Sequence, residues 1–501
     1  GLPVTRGLQH NNSQTYKHTR TRQRRDAYLA SIIEYPPCCT SSHERPCRRD
    51  PSCSASSHER PEEEARRLGQ KHAAVAFDLE KAPLFRALLL HLDGPDLGSP
   101  DPPDVGRYVL FYNLHHIICD EWSLGVLVRE LAELYRAFVS NQPSPLPPQL
   151  LQYKDFAARQ NQQLQDADID RHRRYWLAKF AGDLEPLNLA TDFFRPPVQT
   201  FAGDSVFAHF DRDTSAALKR ISRDLRAGLY VTLLALVKAL FHRYTGQEDV
   251  TIGCPVAGRD DADLENQIGF YVNTLALRDR VLPADTFTQL TAKVRQTVTE
   301  GIAHQAYPFE SILAELNLGR DMSHSPLFDA VVALSDDQPQ VDLEGVRVSE
   351  FDTGFVQAKF DFVFDFTDAE EGIGVRLIYN RDLYSQERIG YMVRHLSNLA
   401  GAVARAPDAP LRTLEVTDAQ ELRLLASFNP PASSYPSGRT IHGLFEEQVS
   451  RTPDRIALVD TGEISYRDLN ARANRWGQAL RQHWDVAAET PVGVLVTGRG
   501  T

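Results

Sequence analysis

The chain has 501 residues and a formal net charge of -12 at neutral pH; that length fits about three units of ~150 residues, and that charge argues against nucleic acid or an anionic membrane as the main partner. Its 42% hydrophobic and 24% charged residues are ordinary for a soluble globular protein, and no uninterrupted apolar run approaches the ~20 residues of a helical membrane span. The start lacks the apolar core of a secretory signal, and a beginning at Gly1 with an arbitrary end at Thr501 is expected of a piece of a longer chain.

Residues 1–70 read differently from the rest. Residues 1–60 hold 10 Lys+Arg against 5 Asp+Glu. A near repeat, Ser41-Ser42-His43-Glu44-Arg45-Pro46 and Ser56-Ser57-His58-Glu59-Arg60-Pro61, lies among Cys38, Cys39, Cys47 and Cys53. A zinc site is the sharp reading of these Cys and His residues. The spacing matches no paired ligand pattern, and adjacent Cys38 and Cys39 suit tetrahedral ligation poorly. A basic nucleic-acid arm would carry more aromatic residues. The stretch therefore reads as a disordered or mistranslated segment, with ordered chain beginning near Ala73. The two remaining cysteines, Cys119 and Cys254, stand alone in the bulk of the chain, which suggests a reducing compartment and a cytoplasmic protein.

Phe77-Asp78-Leu79 and Pro83 to Leu90 lead into a Pro-, Asp- and Gly-rich loop at 94–106. The run Arg107 to Leu114 is apolar and β-favouring, which predicts a buried strand. After it come His115-His116-Ile117-Ile118-Cys119-Asp120-Glu121-Trp122-Ser123. Leu124, Leu127, Val128, Leu131, Leu134, Tyr135 and Phe138 then recur at helical spacing, with Ser123 placed as N-cap. The double histidine thus falls on a strand-to-helix turn. A histidine there can take or hold a proton near neutral pH. Metal binding is disfavoured because adjacent His115 and His116 project differently and HExxH spacing is absent. A Cys119-His116-Asp120 triad is disfavoured because residues so close on one turn do not line up as nucleophile, base and orienter. Histidines satisfied inside a core remain the bland alternative.

The phrase HHIICDEWS resembles the HHxxxDG motif of condensation domains in nonribosomal peptide synthetases, relatives of chloramphenicol acetyltransferase. Further segments resemble the family in its own order: Tyr153 to Ala157, Arg174-Tyr175-Trp176, Asp192 to Pro197, Arg243 to Asp249, Gly253 to Arg259, Ile268 to Thr274, His304 to Glu310, Ser325 to Phe328, and Tyr379 to Tyr384. Together they cover about residues 77 to 410.

The resemblance implies an α/β (α+β) fold of two chloramphenicol-acetyltransferase-like αβ lobes in a V, with a tunnel between them. It implies an N-terminal lobe over 71–190, incomplete at its start, and a C-terminal lobe over 191–410. It also implies upstream donor and downstream acceptor peptidyl carrier domains as partners, each inserting a phosphopantetheine arm, with no covalently bound cofactor, no metal, no nucleic acid and no membrane. The acceptor's amine would attack the donor thioester to form a peptide bond. His116 is then the expected catalytic residue, as general base or as the group that orients the amine and stabilises charge. His115 is expected to be structural. Asp120 is expected to hold the turn through an ion pair for which Arg259 is the candidate partner. Ser123 and Asn273 are weaker candidates for lining the tunnel.

Two departures stand out. The family's Gly after Asp is Glu121 here, which would cost on the order of 1 kcal/mol if φ there must be positive. The family's opening motifs, moreover, have no match in residues 1–70. The double His disfavours a heterocyclisation domain, and IGFYVNT favours condensation over epimerisation, leaving an ordinary domain with an L-configured donor as the expectation. Residues 411–437 read as a linker, and 438–501, with Thr440 to Val449 and Ser465 to Asn470, resemble the truncated start of an adenylation domain. The rival readings are a catalytically defunct carrier-binding domain and a coenzyme A-dependent acyltransferase of the same superfamily.

Overall fold

The computed structural model describes residues 26–35, 61–92, 106–318, 321–335, 343–429, 438–459, 462–484, 486–487 and 490–493. The chain divides into two compact units, residues 1–419 and 420–501.

The first unit opens with strand β1 (Asp26–Tyr35), helix α1 (Pro61–Ala74), β2 (Phe85–Leu92) and β3 (Gly106–His115). One 3-10 turn, His116–Ile118, leads into α2 (Glu121–Val139), α3 (Tyr153–Gln163) and α4 (Ile169–Lys179). Next come β4 (Gly203–His209), α5 (Arg212–Asp224), α6 (Leu229–Thr245), β5 (Asp249–Val256) and β6 (Asn273–Arg280). Helices α7 (Phe287–Ala303) and α8 (Phe309–Leu316) precede β7 (Ala330–Ser335), β8 (Arg347–Glu350), β9 (Phe362–Ala369), β10 (Gly372–Asn380) and α9 (Gln386–Arg405).

Two sheets result: a four-stranded one in the order β2-β3-β1-β8 and a six-stranded one in the order β4-β10-β9-β7-β5-β6. The first is antiparallel throughout. In the second, β7 runs parallel to β5 and β9. Alternation along the strands decides what each face does. Phe362, Phe364 and Phe366 of β9 stand opposite Tyr379, Leu377 and Val375 of β10, and all six are buried. Helix α6, with every residue from Val231 to His242 buried, crosses this face. A helix apolar on all sides belongs in the middle of a core. The other face of β9 carries half-buried Val363, Asp365 and Thr367. No single helix among the described residues is long and apolar enough to cross a membrane.

The structure corrects several expectations about organisation. Order does not begin at Ala73: α1 starts at Pro61, with Glu62, Glu63 and Glu64 in its first turn and Lys71 and His72 in its last. Pro suits the first helical position, and those charges complement the helix dipole. The buried residues of α1 are Ala65, Gly69 and Ala73, a stripe of small residues four apart that a search for bulky apolar periodicity passes over. β1 also lies inside the stretch read as anomalous, and it pairs with β3 from Asp26↔His115 to Tyr35↔Gly106. The Cys38 to His58 group lies outside the described residues.

The expected lobe limits shift as well. Trp176, Phe180 and Leu189 pack in the core of the six-stranded sheet, so the crossing comes before residue 190. Strand β8 returns to the four-stranded sheet. Leu411, Leu414 and Val416, read as the start of a linker, belong to the same large core. Helix α10 (Ala419–Ser427) follows. The second unit contains α11 (Ile441–Arg451), the antiparallel pair β11 (Ile456–Val459) and β12 (Glu463–Ser465), and α12 (Tyr466–Trp484).

Candidate active site

β3 sets the position of the double histidine. One of its faces places Val109 and Phe111 with Ala65, Leu92 and Phe351. The other places Tyr112 and Leu114 with Cys119, against Leu124, Leu127 and Val128 of α2. The strand is thus clamped on both faces, and its last residue is His115.

The two histidines do different things. His115 Nδ1 accepts a hydrogen bond from Ile117 N at 3.1 Å, and its ring meets Phe77 edge-on. His116 Nδ1 lies 2.7 Å from the Cys119 carbonyl oxygen. A carbonyl only accepts, so Nδ1 carries the proton and Nε2 of the neutral ring presents a lone pair. The half-buried ring also meets Phe270 edge-on, with centroids 5.1 Å apart. Burial, and after it the positive charge of Lys359, hold this imidazole below its usual pKa. The base form therefore persists at neutral pH. Cys119 is fully buried and its thiol is pushed up to about 12, chiefly by that burial. It is no nucleophile.

Asp120 fastens the turn. The N-cap of α2 is Asp120 and not Ser123, which lies three residues further on. A carboxylate has two oxygens to spend, and Asp120 uses both. Oδ1 accepts from Ser123 N at 2.9 Å and from Arg259 at 3.0 Å, with the Ser123 hydroxyl at 2.6 Å. Oδ2 accepts from the backbone N–H groups of Tyr271 at 2.9 Å and Val272 at 3.2 Å. The Asp120 and Arg259 side chains are 3% and 2% exposed, so this ion pair is buried and depends on complete hydrogen bonding. Arg259 goes most of the way by donating also to Ser123 Oγ at 2.8 Å, to Gln267 O at 2.8 Å and to Leu264 O, while its Nε is buried without a hydrogen-bond partner. Its guanidinium lies 4.2 Å from the centre of the Tyr271 ring. The preceding Gly258 has φ +63°, and a Cβ there would stand 2.1 Å from Tyr271 O. No other residue fits this bend.

The remaining candidates divide. Ser123 is fully buried in the Asp120–Arg259 group, where its Oγ accepts from Gly269 N at 3.0 Å. It is part of the fastening and not a lining residue. Asn273 commits its amide to backbone, donating to Gln305 O at 2.9 Å and accepting from Thr274 N and Phe309 N. Glu121 is the first residue of α2 and is absent from the residues with positive φ. The expected strain therefore does not arise. Its side chain is solvent-accessible yet hemmed in by protein. That enclosure, then Asp365, push its carboxyl above the usual range, while Lys359 opposes them. Phe270, Lys359 and Asp365 are site neighbours that the sequence reading did not single out. Phe270 lay inside the IGFYVNT segment, where it was legible. Lys359 and Asp365 carry no local signal.

Among the described residues, one group of side chains could meet at a metal ion: His324, Asp329 and Asp361. Its members already have protein partners, since Arg195 pairs with Asp361 and His324 Nδ1 lies 3.0 Å from Asp329.

Comparison with known proteins gives a consistent result. The family model described as "Condensation domain" matches residues 52–426. Gramicidin S synthase 2 of Aneurinibacillus migulanus is 36% identical over 424 residues, covering 84% of this chain and 9% of that protein. The chain spans about a tenth of the length of such synthetases. Among solved structures, the X-domain from teicoplanin biosynthesis superposes with a TM-score of 0.67 at 23% identity, covering 79% of this chain and 94% of that one. A four-domain nonribosomal peptide synthetase, holo-AB3403 bound to AMP and glycine, superposes with a TM-score of 0.65 at 19% identity, covering 92% of this chain and 37% of that one. These two likenesses bear on the fold.

Proposed function

The chain belongs to the condensation-domain family of nonribosomal peptide synthetases, whose members form peptide bonds, and from that premise we propose that His116 serves the attack of an acceptor amine on a donor thioester. In that step a C–N bond forms and the C–S bond breaks. The amine gives up a proton to His116 Nε2, and the departing thiolate takes one. A thioester is already activated, so holding the two tethered reactants together supplies much of the acceleration. What the protein must add is a proton acceptor in a fixed orientation.

The observation that carries this reading is the His116 ring itself. The Cys119 carbonyl fixes its tautomer, its turn is fastened by Asp120, and the imidazole is held neutral. We read the substrates as acyl or peptidyl and aminoacyl groups on phosphopantetheine arms of an upstream and a downstream carrier domain, in the cytoplasm. Residues 438–501 we read as the opening of an adenylation domain. The motif at Ser465-Tyr466-Arg467-Asp468 supports that assignment.

The test supplies donor- and acceptor-loaded carrier proteins and follows carrier-bound dipeptide by intact mass. His116→Ala is expected to reduce the single-turnover rate by at least ~100-fold while melting like the parent. Undiminished product in that variant would remove His116 from the reaction. Product formed only from acyl-coenzyme A would point to the coenzyme A-dependent alternative.

A further inference from the structure

One hydrogen bond does not orient a ring. The 2.7 Å contact from His116 Nδ1 to the Cys119 carbonyl holds a single atom, and the imidazole can still tilt about that line. A second restraint is aromatic. The half-buried Phe270 ring meets the imidazole with centroids 5.1 Å apart and planes at 86°, the perpendicular arrangement that ring quadrupoles favour. The two rings come from different sheets. The His116 turn follows β3 of the four-stranded sheet, and Phe270 lies in the connection from β5 to β6 of the six-stranded one. That connection is held at three successive residues. Gly269 N donates to Ser123 Oγ at 3.0 Å, and Gly269 O accepts from Asp120 N at 3.2 Å. Phe270 O accepts from the Tyr153 hydroxyl at 3.0 Å, and Tyr271 N donates to Asp120 Oδ2 at 2.9 Å. Tyr153, the first residue of α3, is itself seated: its ring lies 5.2 Å from that of Tyr271, which meets Phe156 at 4.7 Å. A Cβ on Gly269 would stand 2.6 Å from both tyrosine rings, so only glycine lets the backbone pass this close. Asp120 thus secures both the histidine turn and the segment that faces it.

We propose that Phe270 is a positioning residue for the proposed reaction: its ring, braced through its own carbonyl by the Tyr153 hydroxyl, fixes the plane of the His116 imidazole. With the plane fixed, Nδ1 stays on the Cys119 carbonyl and Nε2 keeps its lone pair free for the amine's proton. A ring released from that plane loses the carbonyl and gains access to the other neutral tautomer. In that tautomer the proton sits on Nε2, the nitrogen that has to accept one. Phe270 therefore acts through His116, and its loss should fall on turnover, not on carrier binding.

The inference rests on the proposed role of His116, and its main readout does not need turnover. The full chain carries 16 histidines, so their ring nitrogens are labelled with nitrogen-15 and His116→Ala assigns the resonance of interest. In the parent, the His116 shifts should report a proton on Nδ1 alone. In Phe270→Ala they should report a mixture of the two tautomers. Condensation by the same variant should lose roughly 10- to 100-fold in kcat, the scale of a misplaced reacting group, with KM for the loaded carriers unchanged. Tyr153→Phe should move both readouts the same way, by about threefold in kcat, the scale of one neutral hydrogen bond. Thermal melts show which variants fold. If Phe270→Ala does not, Phe270→Leu, which fills space without a ring, carries the test with the same signature expected at smaller size. A folded variant at position 270 whose His116 stays on the parental tautomer overturns the proposal, as does a loss confined to KM. A chain that makes no peptide would still return the tautomer, so failure of the inference and failure of the proposed function are separable.

Discussion

At the scale of single residues, Asp120 bears the greatest structural demand in the site. Truncating it leaves Arg259 charged, buried and missing its partner, and it strips an acceptor from Tyr271 N, Val272 N and Ser123 N. Breaking a buried pair by removing one member costs about 3–5 kcal/mol. Asp120→Ala should lower the free energy of unfolding by that amount, whether or not substrate is bound, as urea unfolding would show. A loss under 1 kcal/mol would mean that Arg259 finds water or another carboxylate. The Asp120–Arg259 pairing spans 139 positions, which no reading of local spacing reaches; only the family pattern suggested it. The Ser123 cap assignment failed for a different reason. Both Asp and Ser favour that position, and the helix begins at the earlier of the two. At Glu121, the glycine expectation assumed a left-handed backbone that the first turn of a helix does not need.

At the scale of elements, β3 and α2 were legible because each carries one strong period: a β-favouring apolar run, then Leu and Val every three or four residues. Helix α1 was not, since its buried face consists of Ala65, Gly69 and Ala73. That face predicts its own fragility. Ala65 is 2% exposed against Val109 and Phe111, so Ala65→Leu should overpack the junction and cost about 1–3 kcal/mol. A change of similar size at exposed Glu63 should cost little. Thermal melts of the two variants side by side decide it; equal melting would show that α1 is not seated on the sheet. Strand β8 was illegible from sequence for another reason. Its four residues join a sheet whose other strands lie more than two hundred positions earlier.

At the scale of the whole molecule, histidines make stability depend on pH. Burial lowers the pKa of His172 and His304, with Arg171 adding to the effect, and the two rings meet edge to face at 5.0 Å. The unfolded chain then takes up protons that the folded one resists. Their stabilisation is complete above the ordinary imidazole pKa of about 6.5, and it is lost as pH falls through and below that value. His324, raised by Asp329, has the opposite sign: its contribution is present at low pH and lost as pH rises. The lowered histidines, which include His116 and His72, outnumber it. Melting temperature should therefore fall between pH 7 and pH 5, and His304→Phe, which can keep the stacking on Tyr175, should flatten that slope. A flat profile in the parent would show that these rings are hydrated in solution.

The clasp from Asp120 to Arg259, Tyr271 and Val272 also bears on when this protein could first work. During synthesis the histidine turn leaves the ribosome about 150 residues before the last of its fasteners, a wait of roughly ten seconds or more at ordinary translation speeds. Until residue 259 has emerged, the Asp120 carboxylate has neither its guanidinium nor its two amides. The reactive geometry is thus a late product of folding, assembled by closure of a long chain loop. A nascent chain halted before residue 272 would contain the whole HHIICDEWS phrase and still lack the site.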